Sequence, residues 1–281
     1  MTAKTDKEVS SVEKKIVSIR ESDGNIVKLE LHDELASTTA LAREYAHAGY
    51  PDRYAVFATR QNKSPLTGAK AGEDGTECGM FLSIILRPSF FPSQASTLGA
   101  LTAVSLITAL EEHTERRLGL GWVSDLYCEG EKIGSCSTEG MLDSHTAYEY
   151  IIVTFAVRLN RDAFPPRLTD MIKKVFESEN TSIEMIIARN VLSKFFRYYP
   201  TIKSSAKFMD IYKNKFILRG KRIKYNALGT REGCKVLGVD ATTGALIVEL
   251  RGGKIRTITS PTMVTIPKKI RLKRQHRGAE S

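Results

Sequence analysis

Two lysine-bearing segments are where chemistry could begin in this sequence. The first, residues 61–79, is glycine-rich, carries Lys63 and Lys70, and lies between two strongly apolar runs. Glycine lets backbone N–H groups approach a phosphate closely, and lysine supplies charge, so the segment reads as a phosphate-contacting loop. The same composition also suits a solvated surface loop. The second is Lys132, directly after the turn Glu129-Gly130-Glu131; taken alone it reads as an exposed hairpin lysine. No Walker A loop, H-E-x-x-H, G-x-S-x-G or G-x-G-x-x-G pattern occurs, so spacing alone names no reaction. Cys78, Cys128, Cys136 and Cys234 are scattered, with no C-x-x-C pair. Neither a zinc site nor a disulfide framework is expected, and no side chains are assigned to a metal.

The elements that must position these groups come from apolar periodicity. Lys15–Arg20 and Ile26–Leu31, around Ser-Asp-Gly-Asn, form a hairpin. Ala40–Ala48 is a helix stopped by Gly49 and Pro51, with Ser37 or Thr38 at its N-cap. Residues 53–59 and Met80–Arg87 are buried strands. Leu98, Leu101, Val104, Ile107 and Leu110 outline a buried helix. Gly121–Glu139 reads as strand, turn, strand; Tyr148–Leu159 is another strand, and helices are expected over 166–177 and 182–199. Strands, helix, strands, helices in that order imply an α+β fold, a mixed or antiparallel sheet with packed helices. From Lys221 to Ile266 only short strands remain, separated by turn signals at Thr243-Gly244 and Gly252-Gly253, which indicates a small β-barrel. The expected organisation is a tail at 1–13, a main domain at 14–212, the barrel at 213–266 and a basic tail at 267–281.

Composition limits the partners. At 281 residues, 42% apolar and 26% charged, the chain is an ordinary globular protein. Apolar stretches such as 101–110 are too short to cross a bilayer, and the charged start lacks an apolar signal core. A cytoplasmic protein without membrane contact is expected. The net charge of +10 is partly local, since residues 267–277 hold six Lys/Arg and no acid. That segment reads as a solubilising, disordered end, and nucleic acid is not expected as a partner.

The order and spacing of 35–60, 80–87, 121–139, 151–160 and 220–266 resemble the biotin–protein ligases. In that family a serine and a threonine before the first helix line the biotin ureido pocket; here they are Ser37 and Thr38. Gln61 matches the glutamine that contacts biotin. The hairpin Trp122-Val123-Ser124-Asp125-Leu126-Tyr127, then Lys132-Ile133-Gly134-Ser135, is similar to the family's K-W-P-N-D-L-Y…K-L-A-G segment. The resemblance implies that Lys132 binds the biotin carboxylate and the reactive phosphate, with Ser135 beside it. Trp122, Asp125 and Asn160 are implied on the nucleotide side, and the barrel is implied to be SH3-like. The activity so implied is ATP- and Mg²⁺-dependent formation of biotinyl-AMP and its transfer to a lysine of a carboxylase carrier domain, by an enzyme that can be a homodimer.

The chain departs from that pattern at the adenylate loop. Where the family has G-R-G-R-x-G-R, it has Ser64-Pro65-Leu66-Thr67-Gly68-Ala69-Lys70. Lys70 alone keeps a cation there, without the planar fork of arginine. Gly72 replaces a tryptophan, Gly121 a lysine, Ser124 an asparagine and Arg158 a glycine. Arg158 and Lys70 are therefore candidates to supply the missing charge. These departures keep a second reading open: a re-purposed homologue that binds biotin or a related acyl acid without turnover, or a lipoate-type ligase.

Overall fold

The structure is a computed structural model that describes residues 15–62, 77–159, 182–204, 206–227, 230–267 and 269–271. An eight-stranded mixed sheet forms its centre, in the order β1-β2-β3-β4-β8-β7-β6-β5. β1 (Lys15–Arg20) and β2 (Ile26–Leu35) pair antiparallel, α1 (Thr38–His47) crosses over, and β3 (Tyr54–Gln61) runs parallel to β2. β4 (Glu77–Leu86), β5 (Leu118–Leu120), β6 (Asp125–Cys128), β7 (Glu131–Leu142) and β8 (Tyr148–Arg158) add antiparallel neighbours. The α+β class and mixed sheet expected from element order are therefore present. Strands β3, β4 and β8 are largely apolar, interrupted by Ser83 in β4 and Thr154 in β8, because both of their faces are covered.

One face carries Met80, Leu82, Ile84, Val153, Phe155 and Val157, packed in one core with α2 (Leu98–Glu111), α3 (Ile183–Tyr198) and α4 (Ala206–Lys215). Helix α2 is apolar all round, and such a helix belongs inside. Its hydroxyls stay satisfied by bonding back to the helix, as in Thr102 Oγ1 to the Leu98 carbonyl at 2.7 Å. The opposite face carries Val56, Ile85 and Ile152 under Ala42 and Ala46 of α1. Ser37 caps α1, its Oγ accepting from the Ala40 N–H at 3.2 Å.

A second, five-stranded antiparallel sheet follows: β9 (Arg222–Ala227), β10 (Thr230–Val239), β11 (Leu246–Glu249), β12 (Ile255–Ile258) and β13 (Val264–Thr265), in the order β12-β11-β10-β9-β13. Ile223, Cys234, Val236, Leu246, Val248 and Ile258 form its buried face. Asp240 closes the β10–β11 turn by accepting from the N–H groups of Thr242 and Thr243 at 3.0 and 2.8 Å.

Several expectations are corrected. Helix α4 runs through residue 213, where a change of texture was read. Its apolar Phe208, Met209 and Tyr212 belong to the main core, which overrides the change in local composition. β5 is a three-residue strand, too short to give a periodic signal. The expected helix at 166–177 lies outside the described residues. The start of the basic tail is not a free end: Ile270 is 6% exposed, and its N–H donates to the Gly130 carbonyl at 2.7 Å. Lys269 pairs with Glu131 at 2.6 Å. Apolar burial of one isoleucine and an edge bridge outweigh the cationic composition there.

Candidate functional site

The face of the large sheet under α1 carries polar, apolar and charged groups in sequence. Nearest the helix start, Thr38 is fully buried, and its backbone N–H donates to Gln61 Oε1 at 2.7 Å. Ser83 Oγ donates to Thr38 Oγ1 at 3.0 Å. Ser83 Oγ also lies 2.9 Å from Thr154 Oγ1, which lies 3.0 Å from Thr39 Oγ1. Each hydroxyl has one hydrogen. With Ser83 donating to Thr38, Thr154 donates to Ser83 and Thr39 to Thr154. The chain therefore runs in one direction and leaves the Thr38 hydroxyl hydrogen at its open end. Ser37 and Gln61 are in the same position: each spends an acceptor on a backbone N–H and retains its hydrogens. Three groups at one helix start thus keep hydrogen-bond donors that no described residue accepts, an arrangement able to hold a carbonyl oxygen.

Strand register places what comes next. Ser83 pairs with Thr154, and two residues along, Phe81 pairs with Ala156 and Ala58 with Phe81. Ala58, Phe81 and Ala156 form a separate, fully buried apolar cluster with Leu35 against it. Ala156 pairs in turn with Ser135 of β7, and Ser135 with Asp125 of β6. Past the apolar strip, Lys132 Nζ lies 2.7 Å from Asp125 Oδ1, with the two side chains 27% and 23% exposed. Arg158, paired with Gly79 one step beyond Val157, has its Nε buried without an acceptor. A buried unsatisfied donor on a cation is costly, and an anion beside it would relieve the cost.

The hairpin's shape follows from its turn. Glu129 and Gly130 have φ of 50° and 92°, the conformation that lets a two-residue turn join twisted strands. It fixes the pairs Cys128–Glu131 and Tyr127–Lys132. At the other end, Ser124 Oγ donates to the Cys136 carbonyl at 2.6 Å, and Tyr212 O–H donates to the Val123 carbonyl at 2.7 Å, with the Gly121 carbonyl 3.1 Å from the same oxygen. A Cβ on Gly121 would sit 2.8 Å from the Tyr127 ring and 3.1 Å from Asp125 Cβ, so the lysine seen there in the resembling family has no room here.

Of the residues singled out from sequence, the structure brings Ser37, Thr38 and Gln61 together at the start of α1, and Lys132, Asp125 and Ser135 on the hairpin. Trp122 does not join them. It is 4% exposed, and its indole N–H donates to the Gly244 carbonyl in the β10–β11 turn at 2.9 Å. Lys63, Lys70 and Asn160 lie outside the described residues. Ser83, Thr154 and Thr39 were missed; the available signal was an isolated hydroxyl inside each of two apolar strands. Among the described residues no group of three His, Cys, Asp or Glu could hold a metal ion, and no helix is long and apolar enough to cross a membrane.

Comparison with known proteins gives one consistent answer. The sequence is 24% identical over 229 residues to the bifunctional ligase/repressor BirA of Bacillus subtilis, covering 79% of this chain and 69% of that protein. The BirA of Bacillus spizizenii matches equally, at 24% over 228 residues. Among solved structures, a biotin protein ligase variant of Aquifex aeolicus in complex with biotin superposes with a TM-score of 0.62 at 21% identity, covering 84% of this chain and 97% of that one. The same enzyme in complex with biotin and ATP gives 0.58 at 19% identity, again over 84% and 97%. A biotin protein ligase-like protein of unknown function from a Silicibacter species gives 0.55 at 15%, over 83% and 94%. No family model matches the chain.

Proposed function

We propose that this chain, a member of the biotin–protein ligase family by fold and by sequence likeness, is a cytoplasmic ligase. It activates biotin with ATP and transfers it to a lysine of a carboxylase carrier domain. The observation that carries the reading is the order of groups on one sheet face. Hydrogen-bond donors stand at Ser37, Thr38 and Gln61, an apolar strip at Ala58, Phe81 and Ala156, and cations at Lys132 and Arg158. From Thr154 to Arg158 is four residues of strand, about 13 Å. A molecule with a carbonyl-bearing ring, a short alkyl chain and a terminal carboxylate suits that length and that order.

In this reading the ureido oxygen accepts from the three donors and the carboxylate lies at Lys132. Attack of the carboxylate on the α-phosphate of ATP, which forms biotinyl-AMP and breaks the α–β phosphoanhydride bond with pyrophosphate leaving, brings negative charges together. The ammonium of Lys132, already oriented by Asp125, stabilises that approach without needing to reorganise. Arg158 supplies a second cation where the resembling family has glycine. Mg²⁺ bound with the nucleotide would offset the charge of its terminal phosphates. Asp125 is one carboxylate available to it, which fits an ion that commonly takes one or two carboxylates plus phosphate oxygens. The acceptor lysine then displaces AMP from the mixed anhydride. The second sheet is the SH3-like module of the family in this reading.

Isothermal titration with biotin, with and without ATP and Mg²⁺, tests the assignment, followed by transfer of labelled biotin to a carrier domain. Binding with turnover is the expected result; absence of any biotin binding would overturn it. Binding without ATP consumption would instead select the re-purposed binder. Two observations favour that second reading: the loop arginines are replaced, and the Lys132 charge is engaged by Asp125.

A further inference from the structure

The second sheet has an outer face with no role in the chemistry above, and cations outnumber carboxylates on it. On β10, Cys234 and Val236 point inward, so Arg231, Gly233 and Lys235 face outward; on β9, Ile223 points inward and Arg222 and Lys224 outward. The register sets Lys235 directly opposite Arg222, and Gly233 opposite Lys224. Like charges directly opposed on a sheet destabilise it. The nearest relief is Glu249, 3.8 Å from Lys235. Arg251 extends the basic surface into the turn that follows β11. Among the described residues Arg222, Arg231 and Arg251 make no ion pair. Arg222, Arg231, Lys235 and Arg251, against the two carboxylates Glu232 and Glu249, border an open groove of about 780 Å³, and Leu250 is its one large apolar lining residue. A Cβ on Gly233, Gly252 or Gly253 would meet nothing within 4 Å, so the groove floor and rim are open.

We infer that this groove docks the phosphate backbone of a nucleic acid without reading its sequence. A protein partner would find little to desolvate, because protein interfaces draw on buried apolar and aromatic anchors at their centre. A phosphodiester chain needs cations instead, and gains from releasing its condensed counterions. The groove offers cations on adjacent strands and in the following turn, with no aromatic side chain among its lining residues on which to stack a base. This role is independent of the ligase reading, and it places nucleic-acid contact on the sheet rather than in the tail.

The test uses the full chain and a fluorescently labelled, mixed-sequence duplex, followed by anisotropy. The expected result is binding in the range of about 10⁻⁴–10⁻⁶ M that weakens steeply between about 50 and 200 mM salt. The triple variant Arg222→Glu, Arg231→Glu, Lys235→Glu should bind at least about tenfold more weakly, with a salt slope smaller by about three. A control of equal charge, Arg197→Glu, Lys203→Glu, Lys207→Glu, alters exposed cations of the helical layer and should retain the parent's slope. Equal losses in both variants would overturn the proposal, since charge without place would then suffice. So would binding of poly-L-glutamate with none of the duplex, which would assign the groove to an acidic protein. If thermal unfolding shows the triple variant misfolded, the glutamine version of the same three positions replaces it.

Discussion

Ser83 Oγ donates to Thr38 Oγ1 at 3.0 Å, which makes the first residue of α1 the terminus of a hydroxyl chain that starts at Thr39 and runs through the sheet. The Thr38 hydrogen is thereby left without an acceptor among the described residues, available to the ligand of the proposed reading. Thr38→Val keeps the side chain's shape and removes that donor. Biotin affinity measured by titration should fall by about tenfold, the worth of one hydrogen bond to a buried group. Thr38→Ser should retain affinity. Unchanged affinity in the valine variant would remove Thr38 from the ligand's contacts.

Lys132 and Asp125 are both partly exposed, so their pair contributes little to stability, on the order of 1 kcal/mol or less. Lys132→Met should therefore leave the unfolding temperature almost unmoved. Pyrophosphate release, by contrast, should drop by about 10²–10³, the scale of removing one group that stabilises transition-state charge. Asp125→Asn frees the ammonium but loses its orientation, so a smaller loss is expected. A Lys132→Met variant with parental turnover would refute the role given to this ammonium.

What was legible in advance follows from the range of each interaction. Ser37 and Thr38 could be placed at a helix cap and Lys132 after a turn, where local sequence fixes geometry; Gln61, Asp125 and the grouping of all five into a site were implied only by the resemblance to the biotin–protein ligases. Ser83 and Thr154 could not be named. Their pairing joins residues 71 positions apart, and a single hydroxyl in an apolar strand carries no local mark. Trp122 shows the reverse failure. It was read into the first strand of the hairpin, but it lies in the bend before β6, and the Gly244 carbonyl that takes its N–H is in the β10–β11 turn, which no local pattern connects to it. The ordered start of the C-terminal segment was hidden for a similar reason: one buried Ile270 decides its course against a run of basic residues.

Arg158 is a residue whose function and stability should oppose one another. Its buried Nε lacks an acceptor, a cost of about 1–3 kcal/mol in the free protein. Arg158→Met removes the orphan donor while filling similar space. Thermal unfolding should shift upward, and apparent nucleotide affinity should fall. If stability falls and nucleotide affinity is unchanged, the guanidinium is structural and has no anion to serve.

Glu21 gives a pH dependence with a definite sign. Burial raises its pKa above the usual 4.5, the neighbouring Asp23 raises it further, and Arg53 and Arg189 offset part of the rise. The folded protein therefore holds this proton more tightly than the unfolded chain does. Its contribution to stability is complete below about pH 4.5 and is lost as pH rises through the folded value. Glu21→Gln abolishes the titration. The variant's stability advantage over the parent, from denaturant unfolding, should be larger at pH 7 than at pH 4; an equal advantage at both would contradict the raised pKa.

The C-terminal stretch and the turn beside Lys132 should prove energetically linked. Three contacts hold them: Tyr127 O–H to the Pro267 carbonyl at 2.9 Å, Ile270 N–H to the Gly130 carbonyl at 2.7 Å, and Lys269 to Glu131 at 2.6 Å. The last is exposed and worth little, so the linkage rests on the two hydrogen bonds and on burial of Ile270. Ile270→Ala removes three carbons at a site close to the surface, and the cost should lie near the low end for such changes, about 2 kcal/mol. If the stretch only fills a surface notch, the loss will be global and uniform. If it holds the turn, amide exchange at Gly130, Glu131 and Lys132 should accelerate more than at the distant β1–β2 turn, because the turn would open without the rest of the sheet. Turnover should fall alongside it, while biotin binding at Thr38, on the far side of the apolar strip, should change least. Acceleration confined to the second sheet would show that the hairpin holds its shape unaided.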